Sequence, residues 1–187
     1  MGFIMEISKK LVIMRGLPFT GKSYRANQLV QENPEGVIYS TDEFWYTQNH
    51  PERPEEYSFN PRYLGVAHKW NLLRAQKAIE EGKPLIIIDN TNTRMEECLP
   101  YVKYAYFQDY EICIEEPTSD SWKEIKLLLE DKRANKKELK KWVKILAEGS
   151  KATHSVPEWA LDRMMWRWQD FTVEEAIEVI DQELNYE

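Results

Sequence analysis

Residues 16–23 read Gly-Leu-Pro-Phe-Thr-Gly-Lys-Ser and form a complete phosphate-binding pattern. The two glycines let the backbone turn tightly and point N–H groups at phosphate oxygens. In such loops the lysine reaches the β- and γ-phosphates of a nucleoside triphosphate, and the hydroxyl of the next residue is a ligand of Mg²⁺. The pattern therefore predicts binding of ATP with Mg²⁺. The residues expected to contact the nucleotide or its metal ion are Gly16, Pro18, Phe19, Thr20, Gly21, Lys22, Ser23 and Tyr24.

The segments on either side of this loop have the patterns that a phosphate-binding loop requires. Residues 10–15 form a short apolar run that predicts a buried strand, and a helix is expected to begin near Lys22. The positive N-terminal end of such a helix adds to the attraction for phosphate. A turn that merely resembles the pattern is the alternative, and the strand before it and the helix after it argue against that alternative.

An acidic residue ends the most apolar strand pattern of the chain. Residues 84–89 read Pro-Leu-Ile-Ile-Ile-Asp, and a continuous apolar run of this kind predicts a central parallel strand that is covered on both faces. At the end of such a strand, Asp89 is expected to hold Mg²⁺ or its water ligands, together with Ser23. The alternative is a turn or capping aspartate before the helix expected from Arg94, because Asp and Asn are common at such positions.

A second acidic residue follows the second predicted strand, residues 37–40. In open α/β sheets ligands bind beyond the carboxyl ends of the strands, and an aspartate at that edge can accept the proton of an attacking hydroxyl group. Asp42 is therefore the candidate general base, and Glu43 is the next candidate. Alternatively, Thr41 or Asp42 is the N-cap of a helix, and the two roles are compatible.

The remaining patterns complete an alternation of strands and helices. This alternation predicts an α/β fold in which a parallel β-sheet is flanked by helices. Together with the phosphate-binding loop at 16–23, it indicates the P-loop NTPase fold class. The whole chain, residues 1–187, is expected to form a single kinase domain, with a helical lid and C-terminal helices within about 119–187. A loop is expected at 46–62. Further helices are expected at 64–81, 94–107, 119–132, 136–148, 157–168 and 172–184, and a fourth strand at 111–114.

The composition restricts the possible partners and compartments. A formal net charge of −7 argues against a non-specific binder of duplex DNA. No apolar run is long enough to span a membrane, the N-terminus lacks a signal-peptide layout, and the two cysteines fit no metal-site spacing. A cytoplasmic protein without membrane contact is therefore expected.

Positive charge is concentrated between positions 132 and 151, where only Glu138 and Glu148 oppose it. This stretch is either a solvated helix face or a positive lid over phosphates. The basic residues in it are Lys132, Arg133, Lys136, Lys137, Lys140, Lys141, Lys144 and Lys151.

Several segments besides the loop match a known family. They are Ser40-Thr41-Asp42, Tyr57-x-Phe59-x-Pro61, Ala67-His68-x-Trp70-Asn71-x2-Arg74-Ala75, the run from Ile87 to Thr93, Glu116-Pro117-x4-Trp122 and the run from Thr153 to Pro157. On these segments the chain resembles the P-loop kinases of the polynucleotide 5′-hydroxyl kinase branch. The closest resemblance is to the kinase-like domain of proteins that bind Nedd-type ubiquitin ligases. The matches run from Leu11 to about Trp168, and the middle run through Asn92 is more specific than the loop.

The resemblance implies roles for individual residues. The family uses the aspartate at the position of Asp42 as general base, and it uses the loop lysine and serine on the nucleotide. It also supplies lid arginines late in the chain, for which Arg163 and Arg167 are the candidates. On the acceptor side, the residues expected to bind substrate are His68, Asn71, Arg74, Asn90 and Asn92.

Some of these positions have a second interpretation. His68, Asn71 and Arg74 lie three apart and share one broad helix face, which would also suit ordinary surface polarity with a packed histidine. Tyr57 and Phe59 either stack on nucleobases or fill the core of a long loop. The role of His154 is open in the same way. The seven tryptophans, including Trp159, Trp166 and Trp168, are expected to pack helices rather than to read bases.

The chain departs from the family pattern at a few positions. Phe19 stands where a glycine is usual, which predicts a stiffer or differently shaped loop. Ala152 and Ser155 replace a usual asparagine and glycine beside His154, and Lys151 stands where the family often has arginine. The stretch 132–149 aligns poorly, so the lid is expected to diverge more than the nucleotide site.

The expected activity is transfer of the γ-phosphoryl group of ATP to a hydroxyl group, with the 5′ end of single-stranded RNA or DNA as the acceptor. A small-molecule kinase for a nucleoside, sugar or nucleotide-sugar is the alternative enzyme, and the acidic net charge favours such an acceptor. A nucleotide-dependent binding module with little turnover is the third hypothesis. Retention of Lys22, Ser23, Asp42 and Asp89 argues against that module. Protein partners are not predicted.

Overall fold

The computed structural model describes residues 8–47 and 57–185. Its centre is one sheet of four strands, β1 (Lys10–Met14), β2 (Val37–Tyr39), β3 (Leu85–Asp89) and β4 (Glu111–Glu115). The strands are parallel and lie in the order β2-β3-β1-β4. The helices are α1 (Lys22–Glu32), α2 (Glu43–Thr47), α3 (Leu64–Glu80), α4 (Met95–Tyr106), α5 (Asp120–Glu130), α6 (Lys136–Ser150), α7 (Glu158–Arg167) and α8 (Val173–Asn185).

The central strand β3 is buried along its whole length because both faces of the sheet are covered. Ile86 and Ile88 pack on one side with α3, α4 and α8, whereas Leu85 and Ile87 pack on the other side with α1. Alternate side chains of a strand point to opposite faces of the sheet. A strand with both faces covered is therefore expected to have apolar residues in an uninterrupted run. This explains the uninterrupted isoleucine run of the sequence.

The register of the strands aligns their carboxyl ends at one edge of the sheet. Met14 pairs with Asp89, and Tyr39 pairs with Ile88. The segments that follow β1, β2 and β3 therefore leave the sheet side by side. These segments are the phosphate-binding loop, the Ser40–Asp42 turn and the Asn90–Thr93 turn.

The lid helices α5, α6 and α7 have a hydrophobic core of their own. Trp122, Ile125, Leu146 and Leu161 are buried in it, and Leu17 of the phosphate-binding loop belongs to the same cluster. The lid is therefore joined to the nucleotide site by direct packing.

The predicted fold class is confirmed, since strands and helices alternate as expected and the sheet is parallel. Most predicted helix and strand ends lie within one or two residues of those in the structure. The short helix α2 begins at Glu43, directly after Asp42. Of the predicted 46–62 loop, positions 48–56 lie outside the described residues. Within the described ranges, no helix is long and apolar enough to cross a membrane.

Candidate active site

Both glycines of the phosphate-binding loop have backbone conformations that other residues avoid. Gly16 has a φ of 150° and Gly21 a φ of 101°. A Cβ on Gly16 would lie 2.9 Å from Cδ and Cγ of Pro117 and 3.1 Å from Cγ of Lys22, so the close approach excludes any side chain. Glycine adopts such positive φ values readily because it has no Cβ, which explains why the motif has glycine at both positions.

The N-terminus of α1 has the properties of an anion-binding site. Its N-cap is Gly21, so no side chain accepts a hydrogen bond from the first N–H groups of the helix. The first turn of α1 contains no acidic residue. The first N–H groups of a helix lack intrahelical partners, and the helix dipole adds partial positive charge there. A phosphate group is the ligand that satisfies both features.

The ammonium group of Lys22 lies inside this loop. Its Nζ donates a hydrogen bond to the carbonyl oxygen of Leu17 at 3.3 Å. Burial lowers the pKa of Lys22, and the negative charges of Asp89 and Asp42 oppose this shift. Both carboxylates therefore act on the same ammonium group, as expected if they share one site with it.

Ser23 and Asp89 form the candidate metal site. The Ser23 hydroxyl donates a hydrogen bond to Oδ2 of Asp89 at 2.6 Å. Asp89 is buried, and its Oδ1 has no hydrogen-bond partner among the described residues. A buried carboxylate oxygen without a partner is costly unless a cation occupies its vicinity. A hydroxyl and a carboxylate are oxygen ligands of the kind that Mg²⁺ prefers, so the residues fit this ion.

Hydrogen bonds between the three turns hold the sheet edge together. The N–H of Thr41 donates to Oδ1 of Asn90 at 2.9 Å, and the N–H of Gly16 donates to the carbonyl oxygen of Thr91 at 3.1 Å. Nδ2 of Asn92 donates to the carbonyl oxygen of Met14 at 2.8 Å. Asn92 is buried with a φ of 46°, so in this structure it braces the turn.

Asp42 projects from this edge and has a polar neighbour close to each carboxylate oxygen. The Tyr57 hydroxyl donates to Oδ1 at 3.2 Å, and Nδ1 of His154 lies 3.3 Å from Oδ2. The rings of Tyr57 and His154 stack with centroids 4.6 Å apart. Loss of solvation raises the pKa of Tyr57, and the charge of Asp42 adds to the shift. The phenol is therefore a protonated donor to the carboxylate.

The three residues expected on α3 have different surroundings. His68 is exposed, and its Nδ1 lies 3.4 Å from the Thr41 hydroxyl, next to Asp42. Asn71 is fully buried and donates to the Tyr101 hydroxyl at 3.2 Å. Arg74 forms an ion pair with Glu43 at 2.6 Å and lies over the rings of Tyr39 and Trp70. Of the three, only His68 is exposed.

The two arginines expected in the lid differ in whether their charge is already paired. Arg167 pairs with Glu97 of α4 at 3.1 Å. Arg163 lies on the exposed side of α7, and its guanidinium group forms no ion pair or hydrogen bond with the described residues. The charge of Arg163 is thus free for a ligand, whereas that of Arg167 is already balanced.

Two contacts of the site were not expected from the sequence. The sequence leaves Tyr57 and His154 open between a packing role and a binding role, and the structure brings both onto Asp42. Phe19 has a φ of 63° and its ring lies against Gly149 of α6, where an added Cβ would be 2.2 Å from Cδ1 and Cε1. The contact between Phe19 and Gly149 has one signal in the sequence, which is that Phe19 stands where the family usually has glycine.

The tryptophan expectation is correct in part. Trp122 and Trp168 are buried and pack edge to face, with ring centroids 5.0 Å apart. Trp159 and Trp166 have 69% and 40% of their surface exposed, so the expectation of helix packing is wrong for Trp159. The cause is the position of Trp159 on the outward side of α7, away from the buried Leu161 and Met165.

Family comparison agrees with this geometry. A family model described as an AAA domain matches residues 11–169. The chain belongs to this family. It is a P-loop kinase-like domain, and the resemblance predicted from the sequence is confirmed.

Individual relatives give the same picture of the fold. NEDD4-binding protein 2 of Homo sapiens is 44% identical over 112 residues, which are 60% of this chain and 6% of that protein. The Pnkp1/Rnl/Hen1 RNA repair complex has a chain with a TM-score of 0.52 at 16% identity, covering 91% of this chain and 46% of that one. A candidate kinase from Chloroflexus aurantiacus has a TM-score of 0.52 at 15% identity, covering 86% and 80%.

Proposed function

We propose that this domain is an ATP-dependent kinase that transfers the γ-phosphoryl group to the 5′-hydroxyl group of RNA or DNA. The observation that supports phosphoryl transfer is the shared surroundings of Lys22. Ser23, next to Lys22, donates a hydrogen bond to Asp89 at 2.6 Å, and the N–H of Thr41, next to Asp42, donates to Asn90 at 2.9 Å. The phosphate-binding loop, the candidate metal site and the candidate base therefore lie at one sheet edge. A module that only bound nucleotide would have no need for Asp42.

The proposed roles follow from position and charge. The backbone N–H groups of the loop and of α1 bind the phosphates, and Lys22 stabilises the charge that develops on the transferring group. Asp42 accepts the proton of the attacking hydroxyl group. Arg163 adds positive charge from the lid, and Arg167 joins it if its pair with Glu97 opens. Most of the rate enhancement in such reactions comes from positioning and electrostatics.

Ser23 and Asp89 are the residues that would hold Mg²⁺. When it is bound, this ion neutralises charge on the β- and γ-phosphates. The hydrogen bond between the two side chains keeps the serine hydroxyl and the carboxylate on the same side of the loop.

The choice of acceptor rests on the family resemblance around Asp42. Nδ1 of His68 lies 3.4 Å from the hydroxyl oxygen of Thr41, the residue before the candidate base. Tyr57 and His154 offer aromatic surface at the same place. Aromatic stacking with little sequence preference is typical of single-stranded nucleic acid sites.

A transfer assay with γ-labelled ATP tests this proposal. The acceptors are RNA and DNA oligonucleotides with a 5′-hydroxyl group, the same oligonucleotides carrying a 5′-phosphate, and a set of nucleosides and sugars. Label should appear on the 5′-hydroxyl oligonucleotides and not on their 5′-phosphorylated counterparts. Lys22→Ala should reduce transfer at least about 100-fold while the protein stays folded. Efficient labelling of a nucleoside or sugar, with none of the oligonucleotides, would replace this acceptor by a small molecule.

A further inference from the structure

The outward faces of α6 and α7 enclose an open groove with a volume of about 560 Å³. It lies on the lid, outside the site at the sheet edge. Its inner wall is closed by Val143, which belongs to the lid core. The other residues that line it are Lys137, Lys140, Lys141, Lys144, Glu158, Trp159 and Asp162.

Trp159 is the most unusual residue of this groove. It has 69% of its surface exposed, whereas the lid tryptophans Trp122 and Trp168 are almost completely buried. No ring or cation stacks on Trp159 in the described part of the chain. A large indole left open between charged residues is a surface that suits a planar ligand, because stacking requires an accessible ring face.

The lysines form a row along one side of α6. Positions 137, 140, 141 and 144 share a helix face, and neighbours on such a face are about 5–6 Å apart at Cβ. Lys141 pairs with Glu138 at 2.7 Å. Lys137, Lys140 and Lys144 form no ion pair within the ranges 8–47 and 57–185.

The local charge of the groove is opposite to that of the chain. Four lysines line it against the carboxylates of Glu158 and Asp162, although the whole protein has a net charge of −7. A solvated helix face would account for the lysines alone. It does not account for an exposed tryptophan beside them, because burial of the indole in the lid core would have removed that apolar surface from water.

We infer that this groove binds the body of a single-stranded polynucleotide, with a base stacked on Trp159 and phosphates bound by Lys137, Lys140 and Lys144. The inference rests on the proposed function, since it supplies the strand whose 5′ end lies at Asp42. Trp159 follows His154 by five positions, and five residues span at most about 18 Å. His154 contacts Asp42, so a strand of several nucleotides with its 5′ end at the candidate base can reach Trp159. A row of cations with one aromatic face is the arrangement that proteins use to follow a single strand.

The inference separates long acceptors from short ones. A dinucleotide reaches the site at the sheet edge but not the groove, whereas a strand of about twelve nucleotides is expected to reach both. Loss of Trp159 or of the three lysines should therefore weaken only the longer acceptor. Stacking on one aromatic side chain corresponds to roughly a tenfold change in affinity.

The experiment measures binding and transfer with the same variants. A single-stranded DNA 12-mer with a 5′-hydroxyl group and a 3′ dye is titrated by fluorescence anisotropy, and KM is measured for the 12-mer and for a dinucleotide. The variants are Trp159→Ala and the triple change of Lys137, Lys140 and Lys144 to Gln. The matched controls are Trp166→Ala, which removes a partly exposed tryptophan of the same helix, and a triple change of Lys77, Lys103 and Lys123 to Gln on other faces.

The expected result is at least a fivefold weaker Kd and a higher KM for the 12-mer in both groove variants, with unchanged kcat and unchanged KM for the dinucleotide. The triple lysine variant should also reduce the slope of log K against log salt concentration by about 2, since each phosphate contact on a single strand contributes about 0.7. Both control variants should behave as the wild type.

The outcomes also separate this inference from the proposed function. If the 12-mer is phosphorylated but the groove variants change its Kd and KM no more than the control variants do, the groove is not a binding site, and the proposed kinase activity is retained. Groove-dependent binding of the 12-mer without phosphorylation would support the groove and overturn the acceptor. Binding of anionic phosphatidylserine vesicles through these lysines, with no binding of the 12-mer, would overturn the inference in favour of a membrane surface.

Discussion

Nδ1 of His154 lies 3.3 Å from Oδ2 of Asp42, so the segment between α6 and α7 contacts the candidate base directly. Tyr57 stacks on the same imidazole and donates a hydrogen bond to the other carboxylate oxygen. The carboxylate is thereby held from two sides by residues distant in sequence. Fixed orientation matters for a general base, because proton transfer requires hydrogen-bond geometry with the attacking hydroxyl group.

Replacement of His154 tests whether this contact positions the base. We expect His154→Ala to lower kcat roughly 10- to 100-fold with little change in KM for ATP, because the carboxylate loses a neighbour 3.3 Å from Oδ2 and a small misplacement of a reacting group can cost about 100-fold. His154→Asn is the matched variant, because its amide N–H can take the place of Nδ1, and it should recover much of kcat. Equal losses in the two variants, or an effect on thermal stability alone, would show that His154 has a structural role only.

The pH profile of Tyr57→Phe tests the other contact. Burial and the charge of Asp42 raise the pKa of Tyr57, so its hydroxyl group remains a donor at neutral and mildly alkaline pH. Removing this donor leaves Oδ1 of Asp42 without its hydrogen bond. We expect kcat to fall roughly tenfold, by the same factor across neutral and mildly alkaline pH, because a hydrogen bond to a charged group contributes about 1.5–3 kcal/mol and the Tyr57 phenol stays protonated over this range. Tyr46→Phe is the control, since this ring packs against Tyr57 with centroids 5.3 Å apart; identical profiles for both variants would contradict the prediction.

Asp42→Asn tests the base itself. The amide keeps the shape of the side chain but cannot accept a proton, so transfer should fall about 100- to 10,000-fold while ATP affinity is retained. Glu43→Gln is the comparison, because Glu43 is engaged by Arg74 at 2.6 Å and its loss should have a smaller effect on kcat. The measurements are single-turnover transfer and ATP binding by calorimetry. A larger loss in Glu43→Gln would move the base assignment to Glu43.

Asp89→Asn tests the metal site. The variant should need more Mg²⁺ for half-maximal kcat and should recover part of its activity at high Mg²⁺, because a neutral amide is a weaker ligand than a carboxylate. Asp42→Asn should show no such recovery. The readout is kcat against Mg²⁺ concentration for both variants. Recovery of Asp42→Asn but not of Asp89→Asn would require the two roles to be exchanged.

The fold was predictable because local patterns agree with the tertiary structure. The isoleucine run of β3 indicates that both faces of this strand are buried. The glycines of the loop indicate backbone conformations that only glycine adopts readily. The ends of parallel strands meet at one edge, so Asp42 and Asp89 were expected near Lys22 without any knowledge of side-chain contacts. The charges of both carboxylates act on Lys22, in agreement with that expectation.

The contacts that could not be predicted join distant segments. His154 is far from Asp42 in the sequence, and nothing in the local pattern shows that the end of α6 reaches the sheet edge. The helical spacing of His68, Asn71 and Arg74 correctly indicates one side of α3, but not that Asn71 is buried against Tyr101. Such differences between neighbours on a helix face depend on what packs against that face, which periodicity does not specify.

The last prediction concerns the contact between the phosphate-binding loop and the lid. Phe19 occupies a left-handed conformation with a φ of 63°, and its ring lies on Gly149, where a Cβ would come within 2.2 Å of two ring atoms. Gly149→Ala should therefore displace the ring and disturb the loop that binds phosphate. We expect ATP affinity to fall about two- to tenfold, which corresponds to the lower part of the usual range for coupled neighbours.

A double-mutant cycle distinguishes this contact from a general effect on α6. In a Phe19→Gly background no ring meets the new methyl group, so Gly149→Ala should leave ATP affinity almost unchanged. Phe19→Gly alone also relieves a backbone conformation that costs a non-glycine residue about 1 kcal/mol or more, so this variant should remain folded. Calorimetric Kd values for ATP in the four proteins give the coupling directly. If Gly149→Ala weakened ATP binding equally with phenylalanine and with glycine at position 19, the two residues would be independent and the lid would not act on the loop through this contact.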